Sequence, residues 1–155
     1  MDSFNIFEPE LQDGDRPDGW NWRYARVGQA IGARKLGASI YELPPGGKSF
    51  PYHYEYPEEE WLIVLTGEPT LRTPEGEHRL RPGDTVCFPE GPDGAHQVRN
   101  DTDTPTRVMI LSTKLGSPAV AVYPDSGKVL IDMPKPEKPL IFREGDAVGY
   151  WEGEA

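Results

Sequence analysis

Histidine is scarce in this chain: there are three, His53, His78 and His96. His53 and His96 sit in patterned surroundings. The first pattern runs from Gly47 through five residues to His53, then Tyr54, Glu55, four residues, Glu60, six residues and Gly67. Side chains alternate along a strand, so His53 and Glu55 fall on one face, with Tyr52, Tyr54 and Tyr56 on the other. Two potential ligands at i and i+2 can then converge on one ion. Glu60 lies past a bend at Pro57 and can return from the next strand. The second pattern runs from Gly83 through five residues to Pro89-Glu90-Gly91, then four residues to His96, then three to Asn100. It brings a second imidazole from a distant part of the chain. Two imidazoles and one or two carboxylates are a donor set for a divalent cation.

The other reactive residue types carry less. His78 lies beside a hairpin turn and reads as an exposed, neutral position. Cys87 lies in a strand and reads as a small packed hydrophobe. As the single cysteine it excludes an internal disulfide and is compatible with a reducing compartment. Gly91 and Asn100 read as turn and register residues. The three tyrosines read as a packing face, and Trp61 as a core or interface residue. No glycine-rich phosphate loop leads from a strand into a helix, and no Gly-x-Ser-x-Gly elbow occurs, so nucleotide-dependent and serine-hydrolase chemistry is set aside.

The elements that must position these residues are short. Glycine and proline, 17 each among 155 residues, are scattered through the chain, which argues for many brief elements joined by turns. Strand-like segments appear at 22–27, 38–43, 61–65, 70–73, 78–81, 85–88, 96–99 and 107–111. The 61–65 run, Trp-Leu-Ile-Val-Leu, fits a strand buried on both faces. Pro74 to Glu77 reads as a hairpin turn. Many short strands at this spacing imply an all-β sandwich or small barrel. Residues 1–19 form an acidic N-terminal arm and residues 20–117 the barrel domain. Residues 118–155 form a C-terminal extension containing strands at 120–123 and 128–131, a surface crossing at 133–140 and a terminal aromatic pair, Tyr150 and Trp151. That pair is placed to dock on the barrel or on a partner subunit.

The net charge of −10 repels phosphate backbones and anionic membranes, and no basic stripe with interleaved aromatics is present. Nucleic-acid and membrane partners are therefore not expected. No apolar run is long enough to span a bilayer. The start of the chain has no basic-then-apolar leader, so the expected location is the cytoplasm.

The two patterned stretches, together covering residues 47–100, resemble the paired motifs of the cupin superfamily. The tail segment Tyr123 to Lys128 also resembles a poorly characterised group of single-domain cupins. The resemblance implies a double-stranded β-helix, or jelly roll, often dimeric, with one divalent metal ion (iron, manganese, zinc or nickel) in the barrel mouth. His53, Glu60 and His96 occupy three of the ligand positions. Glu55 stands where the family usually has its second histidine, and two additional residues separate Gly91 from His96. Three readings of Glu55 stay open: it ligates, it holds a water, or it marks a barrel that has lost its metal. If it binds, two carboxylates bring the centre close to neutral, weaken it as a Lewis acid and favour oxygen-preferring ions.

The leading function is a metal-dependent enzyme acting on a small organic molecule. With iron it would be an oxygenase; with zinc or manganese, an isomerase. The catalytic base would be a carboxylate loosely held by the metal, Glu60 or Glu55, and Glu60 is the catalytic candidate. The alternatives are a binding module for a sugar-like or acidic metabolite without turnover, and a scaffold or storage protein.

Overall fold

The computed structural model describes residues 2–14, 16–115, 118–133 and 138–154. Among the described residues, thirteen short strands make three antiparallel sheets, joined by one α-helical turn and two 3-10 turns. The strands are β1 (Gln12–Asp13), β2 (Arg23–Ala25), β3 (Leu36–Leu43), β4 (Tyr54–Tyr56), β5 (Glu60–Thr66), β6 (Thr70–Thr73) and β7 (Gly76–Arg79). They continue with β8 (Thr85–Phe88), β9 (Gln97–Arg99), β10 (Thr106–Thr113), β11 (Ala119–Tyr123), β12 (Lys128–Asp132) and β13 (Leu140–Arg143). The helical turn α1 (Val27–Ala30) follows β2. The largest sheet has the order β1-β2-β3-β10-β5-β8; the others are β13-β12-β11-β4 and β7-β6-β9. Together they form a jelly-roll barrel.

Period-two alternation explains how the barrel fills. On β3, Tyr41 and Leu43 point inward; on β5, Leu62 and Val64; on β10, Val108 and Ile110. They meet Leu71, Leu80, Phe88 and Val98 from the facing strands, with Trp22 closing one end. The outer face of the large sheet carries a second cluster. Ala25, Val27, Ile40 and Leu65 are buried there beneath Phe4, Ile6 and Leu11 of the N-terminal arm. Gly28 lets α1 lie against β3 backbone to backbone, because a Cβ at that position would stand 3.0 Å from the Ala38 amide nitrogen.

Several expectations change in detail. Residues 22–27 are not one strand: β2 stops at Ala25 and the chain turns into α1. The hairpin turn is tighter than expected, since β7 begins at Gly76, whose φ of 126° suits a residue without Cβ. The 61–65 run is covered on both faces only in part. Leu62, Val64 and Leu65 are buried, but Trp61 is 47% exposed because the arm does not reach it. Cys87, directly opposite Trp61 on β8, is exposed on the same outer face and not packed. His78 is exposed, as expected. The tyrosines divide: Tyr52 is buried beneath the Arg72 guanidinium at 3.9 Å, while Tyr54 and Tyr56 meet edge to face further out. The tail holds the expected hairpin, β11–β12, plus the unforeseen β13. Residues 134–137 of the expected crossing lie outside the described residues. Tyr150 and Trp151 stand 85% and 79% exposed, so they do not dock on this chain's own barrel. Among the described residues, no helix is long and apolar enough to cross a membrane.

Candidate metal centre

His53 and His96 face each other across an isolated antiparallel bridge. The His96 amide donates to the His53 carbonyl at 2.8 Å, and the His53 amide to the His96 carbonyl at 3.2 Å. This reciprocal pairing fixes both backbones and puts the imidazoles on one face, with ring centres 4.8 Å apart. Each ring is then oriented by its own loop. His53 Nδ1 lies 2.8 Å from the Pro51 carbonyl and His96 Nδ1 2.9 Å from the Gly94 carbonyl. A carbonyl only accepts, so both Nδ1 atoms carry a proton and both Nε2 atoms are left to the cavity.

Glu60, the first residue of β5, shares the inward face of Leu62 and Val64. It pairs in register with Phe88 of β8, whose ring stacks on His96 at 3.8 Å. This places Glu60 Oε2 3.4 Å from His96 Nε2. Donor atoms of His53, Glu60 and His96 all lie within 4.8 Å of one another, which is the spacing of ligands around a single ion. Glu59, its neighbour in the acidic run, faces out and accepts a hydrogen bond from the Trp61 indole.

Glu55 is on the edge of this group. Its Oε1 lies 3.9 Å from His53 Nε2, and its side chain is 25% exposed. Burial, reinforced by the charges of Glu60 and Glu58, pushes its carboxyl up to about 8 in the metal-free protein. His53 moves the other way, to about 4, because burial and the neighbouring His96 disfavour a charged imidazole. Its Nε2 is therefore free of competing protons at neutral pH. Two imidazoles held through their Nδ1 atoms beside a carboxylate, with no lysine or arginine in ion-pair contact with that carboxylate among the described residues, fit a divalent ion.

The additional residues before His96 are absorbed by a 3-10 turn at Pro92–Gly94. Gly91 enters it at φ 84°, its amide donating to the Glu55 carbonyl at 2.9 Å. A Cβ at Gly94 would run into the Pro89 carbonyl, so the loop that aims His96 requires glycine there. Asn100 is a fully buried turn residue. Its amide donates to the carbonyls of Leu43 and Thr104, and its oxygen accepts from the amide and hydroxyl of Thr102.

The donors open into a cavity of about 1190 Å³. Sequence reasoning missed much of its wall. The tail hairpin supplies Tyr123, nearly parallel to the His53 ring at 5.8 Å, because β11 pairs directly with β4, with Ala121 opposite Glu55. Buried Glu58 is held by Lys114 at 2.9 Å. Arg26 and Arg34, on either side of α1 in the chain, also line it. The Tyr123 position fell within the tail segment singled out for its resemblance; nothing local marked Lys114, Arg26 or Arg34.

Comparisons with known proteins agree with this architecture. A candidate sugar phosphate isomerase from Acidithiobacillus ferrooxidans is 25% identical, with a TM-score of 0.81 over 93% of this chain and 91% of that one. A sugar phosphate isomerase of the cupin superfamily from Silicibacter pomeroyi is 26% identical, with a TM-score of 0.79 over 94% of each chain. A polyketide cyclase from Streptomyces resistomycificus, 18% identical with a TM-score of 0.61 over 77% of this chain and 83% of that one, shares the fold alone. No curated protein sequence matches the chain. The family model for the Cupin domain matches residues 39–112, from the start of the inward run on β3 to the residue paired with Glu60 on β10. With both histidines and Glu60 inside that stretch and its fold shared along nearly the full length, the chain belongs to the cupin superfamily.

Proposed function

We propose that this protein is a metal-dependent isomerase acting on a small phosphorylated sugar or a similar hydroxy-carbonyl compound. The observation that carries the reading is the convergence of His53, Glu60 and His96 at the floor of a roomy cavity. The likeness to two proteins named for sugar phosphate isomerisation supports the reaction class over the oxygenase reading.

A divalent ion held by His53, Glu60 and His96 would polarise the substrate carbonyl and acidify the adjacent carbon–hydrogen bond. Glu60, close to His96, serves as a ligand in this arrangement. Glu55, at the edge of the donor group and open to the cavity, is then the better placed of the two carboxylates to move a proton. It takes the proton from the carbon beside the carbonyl and returns it to the former carbonyl carbon, while the hydroxyl proton passes between the two oxygens. The net change is a shift of the carbonyl by one carbon. Tyr123 and Phe88 cover the imidazoles and restrict water at the floor.

The test has two readouts. Metal content by mass spectrometry is expected at about one ion per chain in the wild type, lost in His53→Ala and His96→Ala and retained in Glu55→Gln. Incubation with sugar phosphates in deuterium oxide should then incorporate deuterium beside the carbonyl, and Glu55→Gln should abolish the incorporation. A protein that holds such a ligand but exchanges no proton is a binding module, and the isomerase reading is lost. The homodimer implied by the resemblance is supported by the exposed apolar side chains of Leu140, Ile141, Tyr150 and Trp151.

A further inference from the structure

We propose that Arg26 and Arg34, which both line the cavity, form the anchor for the substrate's phosphate, with the Ser39 hydroxyl beside Arg26. The proposal rests on the isomerase reading for the identity of the ligand, but the anchor is argued from the charges of the cavity itself.

The chain as a whole is acidic, with 26 carboxylate residues against 16 lysines and arginines. The cavity wall is not. Among the described residues its four cations, Arg16, Arg26, Arg34 and Lys114, equal its four carboxylates, which are Glu58 and Asp132 besides Glu55 and Glu60. With every carboxylate ionised, a bound divalent ion leaves the wall two positive charges in excess. A phosphate monoester carries about two negative charges near neutral pH and balances that excess. A neutral sugar would not.

The excess has a location. Lys114 is already neutralised by buried Glu58. Arg23, Arg72, Arg79, Arg99 and Arg107 each have a carboxylate partner, as expected in so acidic a chain. Among the described residues, Arg26 and Arg34 have no carboxylate within ion-pair distance. The recorded partners of Arg26 are neutral: its Nη1 lies 3.4 Å from the Ser39 hydroxyl, and its guanidinium sits 5.1 Å from the Tyr24 ring centre. Those contacts orient the fork and leave donors for a planar-edged anion. Ser39 lies two residues before Tyr41 on the barrel-facing side of β3, and the Tyr41 phenol feels both Arg26 and Glu60. Arg34 approaches from the far end of α1, whose seat against β3 depends on Gly28.

The decisive experiment uses zinc-loaded protein and glycerol 3-phosphate, a dianionic monoester without a carbonyl, so that binding is read apart from turnover. Phosphorus NMR should show saturable binding in the wild type, with unlabelled inorganic phosphate competing and glycerol not. Arg26→Met and Arg34→Met should each weaken it about tenfold, and the double variant should abolish it. Arg79→Met, which removes an arginine outside the cavity, should bind as wild type. Zinc content and circular dichroism identify any variant that has lost the fold. Equal affinity in wild type and both cavity variants overturns the anchor, as does the absence of any phosphate binding by the wild type. Binding that survives Arg26→Met and Arg34→Met but disappears in His53→Ala places the phosphate on the metal and also overturns it. Failure of the isomerase reading looks different: glycerol 3-phosphate binding stays arginine-dependent while no sugar phosphate exchanges its proton.

Discussion

Glu55 and His53 are both shifted by their surroundings, in opposite directions, and each consequence is measurable. In the metal-free protein Glu55 is pushed up to about 8 by burial and by Glu60 and Glu58. Its folded form prefers the proton, so the stabilisation is present below the ordinary carboxylate range and is lost as pH rises through 8. Glu55→Gln has no such loss. Metal-free Glu55→Gln should therefore gain on wild type between pH 4.5 and about 8, by up to about 1.4 kcal/mol for each pH unit, and level off above that. Denaturant unfolding at several pH values checks this, and a constant difference would refute it. His53 has the opposite sign. Its folded value near 4 means stability is complete above about 6.5 and falls between 6.5 and 4, as the unfolded chain binds the proton that the folded one refuses. Asn100 has no chemistry but is costly to lose. Its four hydrogen bonds tie the turn after β9 to the end of β3. Asn100→Ala should cost about 2–4 kcal/mol in urea unfolding, while its effect on metal content should follow only from that loss.

Among the elements, the loop before His96 and the tail hairpin decide the site's shape. Gly94→Ala forces a Cβ against the Pro89 carbonyl and must move the loop whose carbonyl orients His96. The expected result is a marked fall in metal content at a modest cost in stability, read by metal analysis beside thermal unfolding. The tail hairpin is fastened to the barrel by the paired hydrogen bonds of Arg72 with Asp125, at 2.6 and 2.9 Å. The pair is substantially exposed, so Asp125→Ala should change global stability by about 1 kcal/mol or less. Its larger effect should be faster hydrogen exchange across β11 and β12. How much of this could be read beforehand depended on range. The strand alternation was legible because its spacing is local, and the two histidines and Glu60 because two short motifs resemble those of the superfamily, although they lie far apart in the chain. The switch from β2 to α1 was not, since four residues give no periodicity. Cys87 was misjudged, and Trp61 is not a core residue, because their outer face looks like any apolar strand until the arm is seen to pack beside Ile63 and Leu65 and not over Trp61 or Cys87. Lys114, Arg26 and Arg34 reach the cavity only through the pairing of distant strands, and no short window of sequence records that.

For the whole molecule, the balance between a covered barrel and an uncovered tail points to association. All four residues of β13 are exposed, Leu140, Ile141 and Phe142 among them, and Val148, Tyr150 and Trp151 present apolar surface beyond it. Light scattering should give a mass near twice that of the chain, and deleting residues 138–155 should halve it while leaving the barrel's cooperative unfolding in place. A single monomeric peak for the full chain would refute the homodimer.

The tail hairpin has one more consequence. The two histidines and Glu60 fall inside the stretch shared with the wider superfamily, whereas Tyr123, Arg26 and Arg34 fall outside it. Under the proposed function, reactivity and selectivity are then encoded in separable portions of the chain. A chimera that keeps residues 39–112 and takes its flanks from a relative with a different ligand should retain its ion and change its guest.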